Sequence, residues 1–290
     1  MSLSASLSCR RAEEPVKQAE GRQSRSEKPQ VQEMSLILND AKTWQERVRA
    51  TRELPEKMAD KDLQALLETL EQPLPETGKE SSLVTLNEIM GVLRSKGLAS
   101  REYGLALSRL ITGPDTDSVV RDYAVQHGIG WMSDYGAGEA TTSDREVLLY
   151  SISIMLEESA NEGSSWGTAL NGLRNLRRLQ PDAQDIPMVF AALSKQIDAV
   201  ARGSQPAIPA NRVAAIQALG YLPDQQQSHA LLAELLRSSD RAVLLPTVAV
   251  MGEMGETSDI QVLQSIAEKQ PPLSFAVRSA VTKIKKRHNP

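Results

Sequence analysis

Gly163-Ser164-Ser165-Trp166-Gly167 has the Gly-x-Ser-x-Gly form of a nucleophile elbow, where a sharp strand-to-helix turn presents a serine hydroxyl to a base. Val147 to Ile154 before it is apolar enough to be the strand. A polar spacer, Glu157 to Glu162, then separates that strand from the turn, so the same serines also read as caps of a helix opening at Trp166. Ser165 is thus the candidate nucleophile and, in the other reading, a capping residue. The three histidines, His127, His229 and His288, are far apart, and Cys9 is the one cysteine. Neither a metal-ligand set nor an internal disulfide framework can be assembled from them, and no cofactor is expected.

Polar and aromatic groups concentrate between Arg121 and Tyr135. On a helix, Tyr123, His127, Trp131 and Tyr135 recur every fourth residue and form a slowly drifting stripe, with Ala124, Val125 and Gly128 turned inward beside it. Arg121, Tyr123, His127, Trp131 and Tyr135 are the candidate partner-binding residues, because aromatics and arginine are enriched at interface hot spots. The bland alternative is packing between helices. Gly128 and Gly130 are expected to break this helix, and residues 135–143 read as a loop bordering a groove. Arg174, Arg177 and Arg178 form a local basic cluster near Trp166, and Lys283 to His288 a basic helix end.

The elements that must position these groups read as helices throughout. Forty per cent of the chain is hydrophobic but only 3% aromatic, a core of Ala, Leu, Ile and Val suited to close helix packing. Sliding the chain by about 32 residues places Ala215 on Thr247, Ala218 on Val250, Gly220 on Gly252, Leu222 on Met254 and Leu231 on Leu263. A third partial copy sets Ala280, Val281 and Ile284 where Ala215, Ile216 and Leu219 stand. Small residues admit a neighbouring helix, and Gly220 and Gly252 are expected to end the first helix in the left-handed conformation, with Pro223 opening the next.

This stretch resembles the HEAT-like repeat family through Ala215, Ala218, Leu219 and Gly220. The resemblance implies an all-α, right-handed α-solenoid of about six helical hairpins, residues 39–290, behind a disordered polar tail, residues 1–38. Helical pairs are expected at 41–54 with 60–71, 82–93 with 100–111, 117–132 with 144–158, and 165–179 with 186–201, then the two copies and a final helix over 273–287. Tetratricopeptide units have a similar period, but their aromatic signature is missing from the copies. Certain HEAT-like DNA glycosylases carry a basic surface with Trp and Asp, yet none of their catalytic positions can be matched here.

The formal net charge of −4 gives no global positive field, so nucleic acid is an unlikely partner. No apolar run is long enough for a transmembrane helix. The chain is expected to be soluble and cytoplasmic, with lipid anchoring through Cys9 as the lesser alternative, and to be a non-enzymatic scaffold for a protein or peptide held on a concave surface formed mainly by second helices. An enzyme or enzyme-associated subunit, or a nucleic-acid binder, is the competing expectation.

Overall fold

The computed structural model describes residues 33–39, 41–96, 101–134 and 142–288, and these are helical with no strand among them. The elements are α1 (33–37), α2 (Trp44–Glu53), α3 (Asp60–Leu70), α4 (Lys79–Ser95), α5 (Arg101–Thr112), α6 (Ser118–Asp134), α7 (Thr142–Glu157), α8 (Ser165–Leu179), α9 (Asp185–Ala192), α10 (Ser194–Arg202), α11 (Pro209–Ala218), α12 (Gln225–Leu235), α13 (Arg241–Met254), α14 (Asp259–Lys269) and α15 (Ser274–His288). Cys9, Gly97 and Tyr135 lie outside the described residues. The packed part begins ahead of residue 39: Met34 and Ile37 on α1 are buried, and Arg47 donates through Nε to the Ile37 carbonyl at 2.9 Å.

Contacts run along the chain in a simple order. The first helix of each pair touches the first helix of the next, in the sequence α2, α4, α6, α8, α11, α13, α15. Among the second helices, α5 and α7 pack closely, whereas α3 meets α5, and α9 meets α7, over short stretches only. Nearly all the buried apolar side chains form one continuous cluster from Met34 to Ile284.

Glycine is what lets the first helices approach. A side chain on Gly172 of α8 would place its Cβ 2.7 Å from Ile129 Cγ1 of α6, and one on Gly252 of α13 would meet the Ala280 Cα of α15 at 2.7 Å. The left-handed turn expected at Gly220 and Gly252 is absent, since the positive-φ glycines among the described residues are Gly78, Gly163 and Gly203. Gly252 lies inside α13, and Gly220 sits in a 3-10 turn, Leu219–Tyr221, where a Cβ would lie 3.4 Å from Val250 Cγ1. At Gly252 the close approach leaves no room for a side chain, whereas at Gly220 a Cβ would make only ordinary contact; the buried Ala215, Ala218 and Ala280 are likewise small residues at the packed faces.

Three further differences have local causes. Trp44, four residues before the buried Val48 and so on the same side of the helix expected over 41–54, is 42% exposed, because it is the first residue of α2 and precedes its packed turns. The single helix expected over 186–201 bends at Leu193 (φ −91°, ψ 3°) into α9 and α10. The basic end of α15 works as a cap: Arg287 donates to the carbonyls of Gly252, Glu253 and Gly255, the orphan acceptors at the end of α13.

Candidate functional site

The stripe on α6 carries the candidate partner-binding residues. Asp117 starts the helix by accepting from the Val119 N–H at 2.9 Å, and the Lys79 ammonium 2.6 Å away holds its carboxyl below the ordinary value. The helix then runs unbroken through Gly128 and Gly130 to Asp134. Four-residue steps drift by roughly 40° each around a helix, so a stripe spanning two of them turns from the surface into the interior. Tyr123 and His127 are accordingly part-buried and Trp131 is buried. Arg121 turns back, donating to the Gly113 carbonyl at 2.8 Å and pairing with Glu158 at 3.4 Å. These four side chains hold α6 between its neighbours, and Tyr135 lies outside the described residues.

His127 carries the clearest electrostatic signature of this group. Its Nε2 lies 3.0 Å from Asn87 Oδ1 on α4, so that nitrogen bears the proton, and its Nδ1 is buried without a partner. Burial first, and the Arg94 guanidinium second, pull its pKa down to about 4. A folded-state value below the unfolded one means that stability is intact above about pH 6.5 and lost as pH falls towards 4, by up to about 3 kcal/mol. His127→Gln keeps a donor for Asn87 but has no such protonation, so urea denaturation across this range should show a shallower loss in the variant. Equal slopes would contradict the assignment.

The elbow motif resolves differently from both of its readings. Ser165 begins α8 and is buried, its hydroxyl donating to the Ser118 carbonyl at 3.4 Å, and Val147 to Ile154 belongs to helix α7 rather than to a strand. Ser164 is the N-cap, but its side chain makes no capping bond. The cap comes from elsewhere in the chain: Asn211 Oδ1 on α11 accepts the Gly167 N–H at 3.0 Å, and its Nδ2 donates to the carbonyls of Ala160 and Gly163 at 2.6 and 2.7 Å. Trp166 is buried, with Nε1 donating to the Leu156 carbonyl at 2.9 Å. Nothing in the sequence motif pointed to Asn211.

The arginine cluster is also engaged. Arg174 lies 5.6 Å over the Tyr221 ring, which stacks in turn on Phe190, and its Nη1 donates to Asn171 and Gln217 at 3.0 and 2.7 Å. Burial lowers its pKa from the usual guanidinium value. Arg177 donates to the carbonyls of Pro181 and Ala183, which leaves Arg178 as the exposed member. His229 pairs with Asp259 at 2.8 Å, and His288 is exposed.

What the first helices do share is a polar track that crosses from one to the next. Arg52 of α2 grips Glu88 of α4 at 2.7 Å, Asn87 of α4 meets His127 of α6, and Thr168 of α8 donates to Asp122 of α6 at 2.6 Å. Arg174 of α8 reaches Gln217 of α11, and Lys283 of α15 meets Glu253 of α13 at 3.5 Å. These side chains come from positions too far apart in sequence to be read as one surface. Open clefts of about 530 and 570 Å³ lie between α3 and α5, lined by Gln64, Leu67 and Glu102. No group of three or more His, Cys, Asp or Glu residues suited to a metal ion occurs among the described residues. No helix among them is long and apolar enough to cross a membrane. Compared with models of known protein families and with curated protein sequences, the chain matches none.

Proposed function

We propose that the chain is a non-enzymatic, HEAT-like right-handed α-solenoid that binds a protein or peptide partner along its inner surface. The observation that supports this reading is the unbroken run of first helices, each touching the next, with glycines at their contacts and the polar track across them. In a curved two-layer stack the more tightly spaced layer lies inside the curve. Close spacing along the first helices therefore favours them, rather than the second helices, as the inner face. A face of this kind offers many hydrogen-bonding groups in a row and suits an extended segment. The Ser165 hydroxyl is buried and Arg174 is committed to Tyr221, so neither supports the competing enzymatic or nucleic-acid reading.

The experiment uses the intact chain as bait against an extract of its source. A variant with Asp122→Lys, Gln126→Lys and Glu253→Lys on the first helices should lose a partner that a second-helix control, Lys61→Glu with Gln226→Glu, retains. Retention by the first variant with loss in the control would move the site to the other layer, and capture of nothing by the parent chain would remove the proposal.

A further inference from the structure

A second surface lies at the far end of the chain, where α12 leans on α13 and α14 on α15 rather than on each other. Between them is a groove of about 320 Å³. Leu236, Leu244 and Ile266 form its floor, each nearly buried, and Val262 on its wall is 48% exposed. Arg237 and Lys269 stand on the rim. Both are exposed, and neither side chain makes an ion pair or hydrogen bond among the described residues. No Asp or Glu lines the groove. Most of the other arginines are tied to carboxylates or carbonyls, whereas here two free cations border an apolar floor with no acid beside it, in a chain of net charge −4.

We propose that this groove docks an acidic segment of a partner protein that carries a leucine-type anchor. The anchor would bury apolar surface against Val262, Leu236, Leu244 and Ile266, while flanking carboxylates meet Arg237 and Lys269. The two requirements are complementary. An apolar floor without the cations would accept any greasy side chain, and the cations set the sign of what flanks it. A basic segment would leave both cations facing like charge. The inference rests on the reading of the chain as a partner-binding scaffold, and it places a docking point outside the first-helix surface.

The probes are two fluorescein-labelled 14-residue peptides, one of leucine and glutamate with leucine at helical i, i+3, i+4 and i+7 spacing, the other with lysine at every glutamate. Anisotropy titrations of the full chain at low salt should show the glutamate peptide binding at least about tenfold tighter than the lysine peptide. Arg237→Glu with Lys269→Glu should abolish or invert that preference, and Val262→Glu should weaken the glutamate peptide by about tenfold, with circular dichroism unchanged in each variant. Equal binding of the two peptides, no binding of either, or a preference untouched by the charge reversal would overturn the proposal. Self-association of the parent chain in sedimentation velocity, lost on Arg237→Glu, would assign the groove to a second copy and also overturn it. Failure here with the first-helix variant still losing its partner would leave the scaffold reading standing and remove this groove alone.

Discussion

Substitution of leucine for Asn211 is expected to lower the free energy of unfolding by about 4 kcal/mol, measured by urea denaturation near neutral pH. The side chain is fully buried and makes three bonds, accepting from Gly167 and donating to Ala160 and Gly163. Leucine has a similar volume but no polar atom, so the Gly167 N–H and the Gly163 carbonyl would lose their partner, and the Ala160 carbonyl would keep only the Ile208 N–H at 3.3 Å. Each orphaned group costs about 1–3 kcal/mol, partly recovered through burial of the new methyl groups. The consequences are also spatial. Asn211 joins α11 to the turn before α8, so its loss loosens the α8 N-terminus and the contact between those two helices. Asn211→Asp separates the roles, since it keeps the acceptor for Gly167 and aims a carboxylate at two carbonyls. It should be as damaging as leucine. A loss below about 1 kcal/mol in both variants would show that the network contributes little.

Asp185→Asn is expected to cost about 3 kcal/mol by a different mechanism. Arg145 on α7 is buried and holds Asp185 through a two-pronged contact, Nε to Oδ2 at 2.5 Å and Nη2 to Oδ1 at 3.2 Å. Removing the carboxylate charge leaves a buried guanidinium without its counter-ion, which costs about 3–5 kcal/mol for fully buried pairs and less here, where the Asp185 side chain is 31% exposed. Partial burial pushes the Asp185 carboxyl upward, but the bond and charge of Arg145 outweigh it, so its pKa lies below the ordinary value. A depressed acid contributes stability that is present above about pH 4 and disappears as pH falls through the folded-state value. The parent chain should therefore lose this contribution in acid while Asp185→Asn does not. Chemical denaturation at pH 7 and pH 3 checks both the size and the sign, and an unchanged gap between the two proteins at pH 3 would contradict the account.

Several features of the fold were legible in the sequence because they depend on local spacing. Leu66, Leu67 and Leu70 on α3, and Ala215, Ile216 and Leu219 in and after α11, are buried where their helical spacing predicts. The period was legible only at the C-terminal end. Pro209, Arg241 and Ser274 start successive first helices at intervals of 32 and 33 residues, whereas the earlier ones start at Trp44, Lys79, Ser118 and Ser165, with wider and uneven gaps. Helix and loop lengths both vary there, α4 and α6 spanning 17 residues each against 10 for α11, and that variation hides the register.

The candidate site was less legible, for reasons that lie in the side chains. A four-residue stripe such as Tyr123, His127 and Trp131 looks like one face, but its drift carries Trp131 into the interior. Gly252 looks like a helix stop because glycine commonly is one, and only the position of Ala280 on α15 reveals it as a packing contact. Asn211 and Arg145 have no motif at all. Their partners lie about one unit away in the chain, beyond the reach of periodicity, although a polar residue inside an otherwise apolar helix face is a signal that could have been followed.

Hydrogen exchange on Gly252→Val puts neighbour-by-neighbour support of the helices to the test. Its side chain must displace the Ala280 backbone on α15, and contact passes from α13 only to its neighbours. Exchange followed by mass spectrometry should rise in α11, α13 and α15 and stay at parent values in α2, α4 and α6. A uniform rise from α2 to α15 would mean that the helices share one indivisible core, and stacking in turn would be the wrong description.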